Sequence, residues 1–287
     1  MYLAPMHTIN TICVCGAGTM GSGIAQVAAQ AGYNTIQFDV NEAMLDKSRQ
    51  AIEKSLQIMV DKQRLTPEQK AVTLNRLVFT ADIKQCIADL VIEAIIEKKD
   101  AKISLFNQLA EVNGAGTIYA SNTSSISLTE IAAGTGNASN VAGMHFFNPA
   151  QLMKLIEVVK AHQTSETVIE TISAVAREMQ KMPVVCKDAP GFIVNRVARH
   201  YYLEAMRLIE LNLATVENVD EIMEATGFKM GPFKLMDLIG MDINFGVSNI
   251  VWEALGKPER LTPSIVQQQK VEAGNLGRKT GKGFYEY

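Results

Sequence analysis

Residues 12–21 read Ile12-Cys13-Val14-Cys15-Gly16-Ala17-Gly18-Thr19-Met20-Gly21, and this stretch decides the fold. Four apolar residues in succession predict a strand covered on both faces. The glycine pattern that follows opens an apolar helical pattern from Gly21 to Gln30. Strand, glycine turn and helix in that order begin a Rossmann-type, doubly wound α/β sheet. Gly16 permits the tight turn, Gly18 lets the backbone approach a pyrophosphate, and Gly21 lets helix and strand pack closely. Ala17, Thr19 and Met20 belong to the same cofactor loop. The helix N-terminus offers unpaired N–H groups and partial positive charge to the phosphates. Asp39 ends the next apolar run, where an acidic side chain accepts hydrogen bonds from ribose hydroxyls. Its charge repels a 2′-phosphate and no arginine follows it directly, so the expected cofactor is NAD.

Further along, short apolar runs alternate with helical patterns. The runs are Ile12–Cys15, Thr35–Phe38, Leu77–Thr80, Leu90–Ala94, Ile118–Ser121, Val141–Phe146, Leu155–Val159 and Val184–Cys186. Alternation of this kind predicts a mainly parallel sheet. The crossover from Asp39 to Leu77 is unusually long. Helical character over Asn41 to Lys62 is followed by Thr66-Pro67-Glu68-Gln69, an N-cap, a first-turn proline and a capping-box glutamine. A helical hairpin is therefore expected to be inserted after the second strand. The pattern changes at Asp188-Ala189-Pro190-Gly191, which predicts an NAD-binding domain over 1–187 and an all-α domain over 188–287. There Phe192, Ile193, Val197, Tyr201, Ala205, Leu208 and Ile209 recur at helical spacing.

Composition narrows the functional classes. The chain has 287 residues, 47% hydrophobic and 20% charged, with a net charge of −3, so nothing favours nucleic acid or an anionic membrane. No apolar run approaches the ~20 residues of a membrane span. No signal peptide is evident, and the four cysteines, Cys13, Cys15, Cys86 and Cys186, are expected to be free thiols in a cytoplasmic protein. Cys13 and Cys15 should share one face of their strand, and no ligands at metal-site spacing accompany them, so no metal is expected.

One of the four histidines, His145, lies in Gly143-Met144-His145-Phe146-Phe147-Asn148-Pro149. Glu157 follows on the next apolar run, so the two side chains are candidates to meet across neighbouring strands. An imidazole suits the hydroxyl proton of an alcohol because its ordinary pKa is ~6.5. A carboxylate on its far nitrogen would fix the tautomer and stabilise the imidazolium. The alternative is a structural, hydrogen-bonding histidine at a strand end. His7, His162 and His200 have no comparable setting.

These motifs together resemble the NAD-dependent 3-hydroxyacyl-CoA dehydrogenases, especially the bacterial 3-hydroxybutyryl-CoA dehydrogenases. The likeness runs nearly end to end, through Val91-Ile92-Glu93-Ala94, Ala120-Ser121-Asn122-Thr123-Ser124-Ser125, Met153-Lys154-Leu155-Ile156-Glu157-Val158, Pro190-Gly191-Phe192-Ile193-Val194-Asn195-Arg196, Gly231-Pro232 and the closing Gly277-Arg278-Lys279-Thr280-Gly281-Lys282-Gly283-Phe284-Tyr285. The resemblance implies that His145 is the base and Glu157 its orienting partner. It implies that Ser124 bonds the substrate's 3-oxygen and contacts the cofactor, and that Asn195 borders the reacting centre. Asn148 falls beside the histidine, at a cofactor position. Glu97, Lys102 and Lys279 fall at NAD-contacting positions, and Ser55 and Lys62 on the hairpin fall at coenzyme A-contacting ones. The expected partner is an acyl-CoA thioester. A homodimer is also implied, through Phe233, Leu235, Met236, Leu238 and Ile239; on hydrophobic pattern alone these equally well make a domain core.

The chain departs from the family pattern after Asn148-Pro149, where Ala150-Gln151-Leu152 stands in place of a proline-containing run. That puts acyl-chain preference in doubt. Three other readings stay open: a β-hydroxyacid dehydrogenase acting on a small free acid, a structural protein like lens λ-crystallin, and an NAD-sensing module. The first typically uses a lysine base, and no lysine here sits in its motif. The last two need neither His145, Glu157, Ser124 nor Asn195.

Overall fold

The computed structural model describes residues 8–287. His7 lies outside them. The chain divides into two compact units, one ending at Asp188 and one beginning at Ala189. Asp188, placed by the sequence reading at the start of the second domain, closes the first unit instead. Its carboxylate accepts from Ser127 Oγ at 2.7 Å and from the Thr129 amide at 2.8 Å, and its own amide continues the ladder to the Lys160 carbonyl.

The first unit is built on an eight-stranded sheet. Its strands are β1 (Thr11–Cys15), β2 (Asn34–Phe38), β3 (Leu77–Thr80), β4 (Leu90–Glu93), β5 (Ile118–Ser121), β6 (Val141–Phe146), β7 (Leu155–Lys160) and β8 (Met182–Lys187). They lie in the order β3-β2-β1-β4-β5-β6-β7-β8. Order reverses between β1 and β4, the place where a doubly wound sheet opens a crevice at its carboxyl edge. Ile12, Val14, Leu90, Ile92, Ile118 and Met144 are fully buried. Each such side chain contributes about 1.5–3 kcal/mol against leaving it in water. Cys13 and Cys15 are fully buried too, with sulfurs 3.8 Å apart.

All pairings are parallel except one: β6 and β7 run antiparallel. The alternation of runs predicts a mainly parallel sheet and does not locate this reversal. Its cause is the connection, residues 147–154, which is too short for the crossover of a dozen or more residues that parallel neighbours require.

The helices of this unit are α1 (Thr19–Gln30), α2 (Glu42–Asp61), α3 (Pro67–Asn75), α4 (Lys99–Val112), α5 (Leu128–Ala133) and α6 (Glu166–Glu178). α2 and α3 form the hairpin between β2 and β3. Asn41 caps α2 by accepting from the Ala43 amide at 3.0 Å. Thr66 and Gln69 close a reciprocal capping box on α3, with Pro67 in its first turn. Such caps are worth about 1 kcal/mol each. α1 differs: Gly18 is its N-cap and supplies no side-chain partner for the first amides.

The second unit is helical, with α7 (Val194–Glu210), α8 (Val216–Ala225), α9 (Pro232–Ile239), α10 (Met241–Ala254) and α11 (Ile265–Glu272). Its core gathers Tyr202, Leu203, Met206, Phe233, Met236, Met241 and Val251. Of the residues at helical spacing, Phe192 and Ala205 are buried and Tyr201, Leu208 and Ile209 pack against the core, whereas Ile193 and Val197 are 41% and 65% exposed. α7 also buries Arg199, Tyr202, Leu203 and Met206. A polar network accounts for the buried arginine. Arg199 donates to the carbonyls of Asn195 and Asn244 and to Ser248 Oγ, at 2.8–3.1 Å. Burial pushes its guanidinium down to about 10. On α9 the five apolar residues divide: Phe233 and Met236 are in the core, Leu235 packs against it, and Leu238 and Ile239 are exposed. Residues 284–287 are tied down by Asp237, whose carboxylate accepts from the Phe284 and Tyr285 amides and the Tyr287 hydroxyl.

Candidate functional site

The antiparallel pairing of β6 and β7 sets His145 directly opposite Glu157. Residues opposed in this way project to the same face of a sheet. His145 Nδ1 lies 2.7 Å from Glu157 Oε2. Glu157 is 1% exposed and His145 6%. The imidazole also packs on the Phe147 ring, centroid to centroid 4.6 Å. A buried carboxylate on Nδ1 holds that nitrogen as the donor and directs proton exchange to Nε2.

The end of β6 is pinned to the next loop. Asn122 Oδ1 accepts from the Phe146 amide at 2.8 Å. The rest of that loop closes on Glu97: Thr123 Oγ1, the Ser124 amide and Ser125 Oγ all donate to Glu97 Oε1. Ser124 is therefore held by its own backbone, half-buried, with its hydroxyl not used in that contact. Burial opposes ionisation of Glu97, but the Lys102 ammonium and the bonds from Thr123 and Ser125 outweigh it and hold the carboxyl below its ordinary value.

Lys102 occupies an unexpected place. It is 1% exposed, and its ammonium lies 2.6 Å from Glu93 Oε1 and 3.0 Å from Glu97 Oε2. It lies buried beneath Glu97 and pairs with both carboxylates. Glu93 is fully buried and accepts also from the Ile95 amide at 2.7 Å and Ser121 Oγ at 2.6 Å. Sequence reasoning passed over Glu93. The signal was there: a carboxylate ending the otherwise apolar run Leu90-Val91-Ile92 needs partners for its charge.

The glycine loop carries a cradle for a dinucleotide. A Cβ on Gly21 would lie 1.9 Å from the Gly16 carbonyl oxygen, and one on Gly16 would lie 2.5 Å from that of Ala94. These two glycines let β1, α1 and the end of β4 approach. A Cβ on Gly18, by contrast, would meet nothing within 4 Å, so the backbone of the half-buried loop faces open space where the α1 amides begin. Thr19 is exposed and Met20 half-buried in the same turn. Asp39 Oδ2 accepts from the Ala17 amide at 2.8 Å and Oδ1 from the Asn41 amide at 2.9 Å, which fixes the carboxylate beside the loop. Each carboxylate oxygen has a further lone pair for a ribose hydroxyl. Open backbone amides at a helix N-terminus with a fixed acid at the end of β2 fit NAD. Beneath the loop, buried Gln37 donates to the Gly16 carbonyl at 3.3 Å and accepts from Ser48 Oγ at 2.6 Å, tying the turn to α2.

The remaining expected residues are more dispersed. Asn148 is exposed on the loop after β6. Ser55 is half-buried on α2, and Lys62, which caps that helix, is exposed. Asn195 lies in the first turn of α7 and Lys279 near the end of the chain, both in the second unit; Lys279 pairs with Asp242 at 2.5 Å. Among the described residues no cluster of three or more His, Cys, Asp or Glu is arranged to hold a metal ion. No described helix is long and apolar enough to cross a membrane.

Two family models account for the chain. The 3-hydroxyacyl-CoA dehydrogenase NAD-binding domain matches residues 11–189, and the C-terminal domain of the same family matches residues 191–287. A 3-hydroxyadipyl-CoA dehydrogenase of Escherichia coli (strain K12) is 45% identical over 98% of this chain; the chain spans only 60% of that relative's length. The mitochondrial hydroxyacyl-coenzyme A dehydrogenase of Homo sapiens is 40% identical over 97% of this chain and 91% of its own. The crystal structure of (S)-3-hydroxybutyryl-CoA dehydrogenase from Ralstonia eutropha superposes with a TM-score of 0.93 at 37% identity, covering 98% of this chain and 99% of that one. With both domains matched and the histidine–glutamate pair and glycine cradle in place, the chain belongs to the 3-hydroxyacyl-CoA dehydrogenase family.

Proposed function

We propose that the protein interconverts a short-chain 3-hydroxyacyl-CoA, of the 3-hydroxybutyryl-CoA type, and the corresponding 3-oxoacyl-CoA with NAD. The observation that carries this reading is the buried His145–Glu157 pair, 2.7 Å apart at the carboxyl end of β6. When bound, NAD supplies the hydride acceptor. The first amides of α1 and the backbone at Gly18 hold its pyrophosphate, and Asp39 accepts from its ribose hydroxyls. In the oxidative direction His145 Nε2 takes the proton of the substrate hydroxyl, and in reduction it returns one to the forming alcohol. Glu157 keeps the proton on Nδ1 and stabilises the imidazolium. The Ser124 hydroxyl donates to the substrate's 3-oxygen from a loop fixed by Glu97. Lys102 acts through Glu97 by holding it ionised and in place. For Asn148, Ser55, Lys62, Asn195 and Lys279 we keep the roles that family likeness implies.

The test follows loss of reduced-nicotinamide absorbance with acetoacetyl-CoA, comparing NADH with NADPH and acetoacetyl-CoA with free acetoacetate. The reading requires a preference for NADH and for the thioester. Equal use of free acetoacetate would return the small-acid reading, and no turnover of either would favour a binding or structural protein. We also propose a cytoplasmic homodimer in which Val197, Leu238, Ile239 and Ile243, all exposed within the chain, are covered by the second copy. Sedimentation at micromolar concentration tests it, and a monomer would refute it.

A further inference from the structure

Asn195 lies in the first turn of α7. The segment just ahead of it is a tight turn, closed by the Phe192 amide on the Ala189 carbonyl at 2.9 Å. Gly191 and Phe192 are both left-handed there, with φ of 72° and 47°. Glycine adopts that conformation freely, but a bulky residue such as phenylalanine rarely does. The entry to α7 is therefore strained, and its first turn needs support from elsewhere. Arg199, one turn further along, supplies it. Its Nε reaches back to the Asn195 carbonyl at 3.1 Å. Its Nη1 crosses to α10, donating to the Asn244 carbonyl at 2.8 Å and to Ser248 Oγ at 3.0 Å. Gln267 of α11 holds the far side, with Nε2 2.6 Å from Asn244 Oδ1 and 3.1 Å from Ser248 Oγ.

These bonds seat the guanidinium but leave its charge without a counter-ion. Arg199 is 3% exposed, and among the described residues no carboxylate pairs with it. A buried ion with no paired charge is costly. The Tyr202 ring, 5.0 Å from the guanidinium, offsets only part of that cost. Nor do the partners require it. Both carbonyls sit inside helices, where the amide four residues on already bonds to each, and Ser248 Oγ donates to the Asn244 carbonyl at 3.0 Å. Asn244 Nδ2 is itself buried without an acceptor among the described residues. A well-packed apolar side chain at this position would join the same helices at lower cost. An arrangement that works against stability in this way is expected where function needs it.

We infer that Arg199 is a positioning residue for the reaction: it fixes the first turn of α7 so that the Asn195 side chain keeps its place at the reacting centre. The inference rests on the functional reading above, from which that place of Asn195 is taken. The bonds to α7 and to α10 leave from two nitrogens of one rigid plane, Nε and Nη1. A lysine would carry the charge as a single point on a flexible stem and could not hold both contacts in that geometry.

The test measures reduction of acetoacetyl-CoA by NADH, together with the midpoint of thermal unfolding, in Arg199→Met, Arg199→Lys, Asn195→Ala and the double variant Asn195→Ala with Arg199→Met. Arg199→Met is expected to lower kcat by about 10- to 100-fold, the scale of a misplaced reacting group, while KM for NADH is retained. Its midpoint should stay at or above that of wild type, because an apolar side chain replaces an unpaired buried charge. Arg199→Lys, which keeps the charge and loses the fork, should lose kcat in the same direction. The double variant should fall within about twofold of Asn195→Ala alone, since the two residues act as one unit. Unaltered kcat in Arg199→Met or in Arg199→Lys overturns the inference, as do independent multiplicative losses in the double variant. A lowered midpoint or a failure to fold in Arg199→Met makes Arg199 a structural staple and overturns it too. A silent Asn195→Ala in an active wild type refutes this inference alone. A wild type that does not reduce acetoacetyl-CoA at all refutes the functional reading, and the inference with it.

Discussion

Replacing Lys102 by methionine separates a buried support from an exposed cofactor contact. Methionine keeps most of the aliphatic volume, so packing accounts for less than about 1.5 kcal/mol. The charge is the larger effect. Glu93 is wholly buried, and Lys102 supplies its only ion pair among the described residues, at 2.6 Å. Breaking a buried pair by removing one partner costs about 3–5 kcal/mol, because a charge is left without compensation. For a chain of this size that lowers the midpoint of thermal unfolding by about 6–20 °C. The loss should appear in urea titrations as a lower midpoint with an unchanged slope. Removing the second charge should reverse much of it. In Lys102→Met with Glu93→Gln, the amide still accepts from Ser121 or Ile95 and no uncompensated carboxylate is left at position 93. The double variant is then expected to be more stable than Lys102→Met alone. Stability of Lys102→Met within about 1 kcal/mol of wild type, or simple addition of the two single losses, would refute the argument.

His145→Gln should slow single-turnover reduction by ~10²–10⁴ while NADH affinity is retained, and adding Glu157→Gln should cost little more, since the two act as a unit; independent multiplicative losses would give Glu157 a separate role. Glu97, whose carboxyl is held below its ordinary value, stabilises the fold at neutral pH and loses that contribution as pH falls through its depressed folded pKa, so Glu97→Gln should flatten the acid limb of a stability–pH profile measured below about pH 4. Cys186 is pushed up to about 11, first by burial and then by the charges of Glu157 and Asp188, so its alkylation at pH 8 should be slower than that of a free cysteine by about two orders of magnitude; labelling at the free-thiol rate would contradict that environment.

Much of this was legible in local chemistry. The strand–glycine–helix unit, Asp39 and the capping box at Thr66 are each read from residues a few positions apart, and each stands where its local signal puts it. What escaped depends on distant partners. The reversal of β7 follows from the length of a loop and from which strand is already in place, so the sequence made His145 and Glu157 only candidates to meet. Apolar spacing on α7 does not reveal that Arg199 is buried, because its acceptors Asn244 and Ser248 lie far along the chain. Lys102 matches a cofactor position by likeness, yet Glu93 and Glu97 take up its ammonium. Gln151 stood out as a departure, but its partner Gln26 and the room left by Gly23 lie on another helix, α1.

The antiparallel ladder between β6 and β7 has a consequence for how the protein loses activity. His145 and Glu157 stand opposite each other on two interior strands of the sheet, with β5 and β8 outside them, and a slip of one residue would turn Glu157 to the opposite face. The geometry of the pair is therefore as durable as the sheet core, with Met144 and Val158 fully buried beside it. Amides of these two strands should exchange with solvent only on opening of the whole first unit, at its global free energy, whereas exposed loop residues such as Asn148 exchange by local fluctuation. On heating, the proton-transfer pair would stay assembled up to cooperative unfolding, so early losses of activity would reflect the loops around the pair rather than the pair itself.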